Sequence, residues 1–177
     1  MRGRRSDGPP EPPSREELLA AALRSLSQRA LTEAELRARL ERRGAGPEDV
    51  EVTLARVREL GYLSDAQVAQ AEGARRGVGK YRVRATLQRR GVDGELIEQV
   101  LEARDPIEEL AAATALLERQ AAKFRRARDP RSSAYGFLAR RGYGGDVIWR
   151  AIAAARLGEV GDLDDMDTEE PPEDDLD

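Results

Sequence analysis

Leu19, Leu23 and Leu26 stand four and three residues apart in a segment otherwise rich in Arg, Glu and Ser. That spacing gathers apolar side chains on one face of an α-helix. It returns at Val50 and Leu54, at Ile97 and Leu101, at Ile148 and Ile152, and over a longer stripe of Leu110, Ala113, Leu117, Ala121 and Phe124. No stretch of alternating β-branched residues argues for a strand. The pattern therefore predicts an all-α chain.

Helix starts are marked locally. Ser14 with Glu17, and Thr32 with Glu35, have the spacing of a capping box. Pro47 suits the first turn of a helix and is followed by Glu48 and Asp49, which favour the positive end of its dipole. Ser64 and Gln67 open a helix expected to run to about Arg76. Asp105 caps a long helix that begins at Pro106 and carries the stripe ending at Phe124.

One phrase recurs three times: Leu40-Glu41-Arg42-Arg43-Gly44, Leu87-Gln88-Arg89-Arg90-Gly91 and Leu138-Ala139-Arg140-Arg141-Gly142, with glycines 47 and then 51 residues apart. Each glycine is followed by apolar residues six and ten positions later. Glycine closes a helix in the left-handed conformation, and arginines in the last turn oppose the negative end of the dipole. Helical units repeating at this period usually stack. The expected architecture is three tandem three-helix, helix-turn-helix-like units, nine helices in all. The units span residues 14–61, 62–104 and 105–158, in an elongated, curved array. With two Phe, one Trp and four Tyr, each unit has a thin core, and stacking is expected to supply the burial that one unit lacks.

Charge changes the picture. The formal net charge is −4, but residues 159–177 carry eleven Asp or Glu and no Lys or Arg. Residues 14–158 carry 27 bases against 21 acids, a basic body beside an acidic tail. Residues 1–13, rich in proline, and 159–177, self-repelling, are expected to be disordered. The tail reads either as a solubilising segment or as an internal competitor that shields the body from stray nucleic acid. With no Cys and no His, thiol chemistry is excluded and a zinc site would lack its usual ligands. No segment has the length of apolar sequence that spans a membrane, and no apolar core follows the basic N-terminus. A cytoplasmic, monomeric, non-enzymatic protein without cofactor is the expectation. Gly73 to Tyr81 imitates a phosphate loop, but Ala74 stands where glycine is needed and Tyr81 where a Ser or Thr would meet magnesium.

The repeated phrase, the junction Gly61-Tyr62-Leu63-Ser64-Asp65 and the closing run Phe137-Leu138-Ala139-Arg140-Arg141-Gly142-Tyr143 together resemble the RecX family over roughly residues 16–157. Val68-Ala69 departs from the family's Phe-Ala pair and shrinks one core side chain. The resemblance implies a modulator, mainly an inhibitor, of RecA. Such a protein would lie in the groove of the RecA–DNA filament and limit its growth, ATP hydrolysis and strand exchange.

The residues themselves offer a basic surface. Between Glu72 and Asp93 stand Arg75, Arg76, Lys80, Arg82, Arg84, Arg89 and Arg90 with no acid among them. A second run includes Lys123, Arg125 and Arg126. Two readings stay open: a solvated polar face that also caps helices, or a surface that seeks phosphate and carboxylate. The second would supply weak DNA affinity without sequence preference. An alternative function is a stand-alone DNA-binding regulator of the helix-turn-helix kind. Against it, the third helices offer Glu95, Glu98, Asp146 and Trp149, a poor set for a groove lined by phosphates.

Overall fold

The computed structural model describes residues 12–157. The two expected disordered tails lie outside the described residues, except for Pro12 and Pro13. The described residues form ten helices and no strand.

The first unit comprises α1 (Arg15–Gln28), α2 (Glu33–Glu41) and α3 (Pro47–Glu59). Both capping boxes form. The Ser14 and Thr32 hydroxyl oxygens accept the Glu17 and Glu35 N–H groups at 3.3 and 3.2 Å. The carboxylates reach back to the Ser14 and Thr32 N–H groups at 2.9 and 3.0 Å. Glu48 and Asp49 meet the N-terminal dipole of α3 and are clamped by Arg15 at 3.0 and 2.7 Å, which fixes the start of α1 against the start of α3. The apolar stripes of the three helices close over Leu18, Leu36, Leu40, Val50 and Leu54, all essentially inaccessible. Leu63, beyond the expected boundary at 61, also packs into this core.

The second unit comprises α4 (Asp65–Gly73), α5 (Lys80–Arg89) and α6 (Gly94–Glu102). Helix α4 stops at Gly73, three residues short of the expected end at Arg76. Two contacts account for this. Gly73 lies so close to α6 that a Cβ there would sit 2.3 Å from Val100 Cγ1. The freed Gly73 carbonyl is taken by the Arg104 guanidinium, which also donates to the Val78 carbonyl at 2.8 Å. The third unit comprises α7 (Pro106–Glu118), α8 (Ala121–Arg125), α9 (Pro130–Ala139) and α10 (Gly145–Ala154). The stripe from Leu110 to Phe124, expected as one helix, breaks at Arg119-Gln120. The Arg119 side chain folds back onto the Ala115 carbonyl at 3.2 Å. The turn brings Phe124 edge-on to Phe137, with ring centroids 5.4 Å apart.

Each repeated phrase builds the same helix stop. The glycines at 44, 91 and 142 have φ of +88°, +76° and +80°. The residue after each glycine donates its N–H to the phrase leucine, at 3.3, 3.1 and 3.3 Å. This is the six-to-one closure that needs a left-handed residue between. The core differs from expectation. Apolar burial falls into three separate clusters, one in each unit, and the second is the smallest, with Ala69, Val83, Leu87, Val92, Ile97 and Val100. Between neighbouring units, polar contacts are added to small apolar ones such as Gly77 on Leu116 and Gly91 on Ala34. Among the described residues the polar contacts run between units one and two and between units two and three.

Candidate binding surface

Helix α5 turns Val83 and Leu87 inward and both are fully buried, so the intervening cations point outward by helical spacing. The structure then divides the ten candidate cations into two groups. Arg75 pairs with Glu72 at 2.8 Å, and Arg84 grips both carboxylate oxygens of Glu98 on α6. Arg82 reaches across to the Arg140 carbonyl at 3.1 Å. Arg90 donates to both Glu35 oxygens at 3.2 and 2.9 Å and to the Ala30 carbonyl at 2.9 Å. These four serve the protein itself. Arg76, Lys80, Arg89, Lys123, Arg125 and Arg126 are exposed and make no ion pair among the described residues. The Lys80 ammonium lies 5.5 Å from the centre of the Tyr81 ring. Gly77 abuts the Leu116 side chain, a spacing of 3.9 Å for an added Cβ, which sets the Arg75–Gly77 loop against α7. Helix α7 leads directly into α8, which presents Lys123 and Arg125, with Arg126 as its C-cap.

Two joints hold this surface in place. Between units one and two, the Thr32 hydroxyl donates to the Arg90 carbonyl at 2.6 Å, and the Asp65 carboxylate accepts the Glu33 N–H at 2.8 Å. Between units two and three, the Gly79 N–H donates to the Arg141 carbonyl at 2.9 Å and the Tyr81 N–H to the Gly142 carbonyl at 3.0 Å. There Glu109, buried at 8% exposure, accepts the Lys80 N–H at 2.8 Å and faces Arg104 at 4.0 Å. Arg104 and Glu109 carry no sequence signal for this role. Their partners Gly73, Val78 and Lys80 lie 26 to 31 residues away, and neither stands in a basic run or a repeated phrase.

The joint between units one and two has opposed titrations. For Glu35, burial works upward, but hydrogen bonds from Arg90 and the Thr32 N–H, and the charges of Arg90 and Arg29, carry its carboxyl below the usual range. For Asp65, burial pushes the carboxyl up, aided by the Glu33 and Glu35 charges, against the Glu33 N–H and the Arg90 charge. A carboxyl raised on folding makes the folded state bind the extra proton. Asp65 therefore lowers stability once pH passes its unfolded value, and the penalty is complete above its folded value. Asp65→Asn keeps an oxygen for the Glu33 N–H and removes the charge. It is expected to raise the melting temperature at pH 7 and to leave it unchanged at pH 3, where the wild-type carboxyl is itself neutral. A loss at pH 7 would show that the charge is needed.

Among the described residues no group of carboxylates is placed to hold a metal ion, and no helix is long and apolar enough to cross a membrane. Family models for the first, second and third three-helix domains of RecX match residues 19–56, 66–101 and 107–152. The chain belongs to the RecX family. The Regulatory protein RecX of Deinococcus radiodurans is 61% identical over 138 residues, covering 78% of this chain and 68% of the relative. That of Thermus thermophilus is 40% identical over 145 residues, covering 81% and 93%. The crystal structure of RecX from Lactobacillus salivarius superposes with a TM-score of 0.72 at 18% identity, over 80% of this chain and 96% of that one. The fold is thus shared at a level where most side chains differ. The polar joints and helix stops described above are how this RecX sequence builds it.

Proposed function

We propose that this RecX-family protein restrains RecA by lying along the RecA–DNA filament. Arg76, Lys80, Arg89, Lys123, Arg125 and Arg126 are its contacts to phosphate and to acidic side chains of the filament. The observation that carries the reading is the division of the cations. Six candidates across units two and three are exposed without an internal carboxylate among the described residues, whereas four others are consumed in internal contacts. An unpaired exposed cation keeps its full charge for a partner, and phosphate contacts bind any sequence. That suits a regulator of a filament that coats DNA of every sequence.

Reversing Arg76, Lys123, Arg125 and Arg126 to Glu is expected to abolish inhibition of RecA strand exchange while leaving the melting temperature within the range of surface substitutions, about 0.5 kcal/mol each. If these cations meet duplex phosphate, the slope of log affinity against log salt falls by about 0.9 for each phosphate that is no longer neutralised. Full inhibition by the folded quadruple variant would reject the surface. Strong preference for one duplex sequence in the absence of RecA would replace this reading with a stand-alone DNA regulator.

A further inference from the structure

The two joints obey one rule. Thr32 and Gly79 are the N-caps of the middle helices α2 and α5, and each stands twelve residues before the phrase glycine of its own unit. Each N-cap receives the phrase of the following unit. The Thr32 hydroxyl donates to the Arg90 carbonyl, and the Gly79 N–H donates to the Arg141 carbonyl. The phrase glycine lies flat on the first turn behind the cap. A Cβ on Gly91 would be 2.5 Å from Ala34 Cβ, and one on Gly142 would be 2.3 Å from Arg82 N. The negative end of one middle helix thus rests on the positive end of the previous one. In the first joint the second phrase arginine also grips Glu35, the third residue of the receiving helix.

Applied to unit one, the rule leaves a half-joint. Arg42, Arg43 and Gly44 are exposed, and among the described residues no helical unit precedes α1 to receive them. The one described atom near an added Cβ on Gly44 is Pro13 Cδ, at 3.9 Å. Arg42 donates back to its own helix at the Ala38 carbonyl, 3.0 Å away. Arg43 makes no hydrogen bond from its side chain and no ion pair among the described residues. Its field reaches Glu17, whose carboxylate is already held by Ser14. The surface flanking Arg43 is concave on both sides, between Leu40 and Ala21 and between Pro13 and Ala20.

We propose that Arg42-Arg43-Gly44 is a docking surface for the N-terminal turn of an α-helix that carries a carboxylate at its third position. Resting on the RecA reading above, that helix belongs to a RecA subunit. Both occupied joints select a helix N-terminus, and the first of them, where Arg90 grips Glu35, together with charge complementarity selects the carboxylate. A second copy of this chain offers a poorer match: its unreceived middle-helix start, at α9, has Arg131 and Ser132 where the first joint has Ala34 and Glu35.

The test is co-sedimentation with RecA filaments assembled on an oligo(dT) strand with a non-hydrolysable ATP analogue. Arg42→Glu combined with Arg43→Glu is expected to weaken binding about tenfold or more, because the reversed charges face a carboxylate. Arg42→Lys with Arg43→Lys should stay close to wild type. Both side chains are exposed, so the melting temperature verifies that each variant is folded. With a benzophenone amino acid in place of Arg43, cross-links are expected in the first turn of a RecA helix. Equal binding by the Glu variant, or cross-links confined to other parts of RecA, overturns this docking surface and leaves the RecA reading intact. Absence of binding by the wild-type protein overturns both. A change in self-association of the Glu variant in sedimentation assigns the surface to a second copy and overturns the proposal.

Discussion

Gly142→Ala is expected to cost about 3–4 kcal/mol in urea unfolding, combining a left-handed alanine at about 1–2 kcal/mol with overpacking at about 1–3 kcal/mol. The added methyl would stand 2.3 Å from Arg82 N, 2.5 Å from Arg82 Cβ and 2.9 Å from Arg82 Cα, at a residue with φ of +80°. Arg82 belongs to the first turn of α5, so the obstacle is helix backbone and cannot swing aside. Gly91→Ala meets only the Ala34 methyl at 2.5 Å, and is expected to cost about 2–3 kcal/mol on the same two terms. Gly44→Ala meets nothing closer than Pro13 at 3.9 Å and bears the left-handed cost alone, about 1 kcal/mol. One motif thus yields a graded series. Equal losses at all three positions would mean that the glycines are helix stops and nothing else, and that the head-to-tail joints contribute no stability. Because each unit has its own core, Gly142→Ala is also expected to split unfolding, with near-ultraviolet signals from Trp149 and Tyr143 lost before far-ultraviolet helicity.

What the sequence makes legible is what a single helix determines. The Ser14 and Thr32 boxes, the Asp105-Pro106 start, the phrase glycines and the buried leucines at 40, 87 and 138 are fixed by neighbours within about six residues, and pattern reading finds them. The break at Arg119-Gln120 escapes because no glycine or proline marks it. The gain is a tertiary one, the seating of Phe124 on Phe137. The early end of α4 escapes for the same reason, since Val100 and Arg104 enforce it from another helix. The thin cores suggest stacking as the source of further burial, and pattern reading does not reveal the polar joints that the structure adds at the same seams. A basic run likewise reveals its total charge and hides its partners. Glu35 lies 55 residues from Arg90 in sequence, and only the fold brings them together. Of ten cations singled out by charge density, four therefore prove to be fasteners, and the candidate surface contracts to the six that remain.

Arg89 and Arg90 show how adjacent, identical residues separate into these two roles. Arg90→Ala is expected to destabilise the protein by about 2–3 kcal/mol, the range for losing charge-assisted hydrogen bonds at a partly buried site. Its guanidinium makes three such bonds, and the side chains of Arg90 and Glu35 are only 19% and 21% exposed. Once it is gone, the Glu35 carboxylate keeps the Thr32 N–H and a distant Arg29 at 3.6 Å, and the Ala30 carbonyl loses this donor. A cycle with Glu35→Ala should return a coupling of about 1–2 kcal/mol, since the two side chains touch. Arg89→Ala, at an exposed side chain, should change stability by no more than about 0.5 kcal/mol. In filament binding Arg89→Ala loses a free cation from an intact fold. Arg90→Ala disturbs binding only through the angle between units one and two, so raising protein stability with an osmolyte should rescue Arg90→Ala and leave Arg89→Ala impaired. If the two variants lose stability equally, the guanidinium of Arg90 does not hold the joint, and the division of the basic surface into fasteners and free cations fails with it.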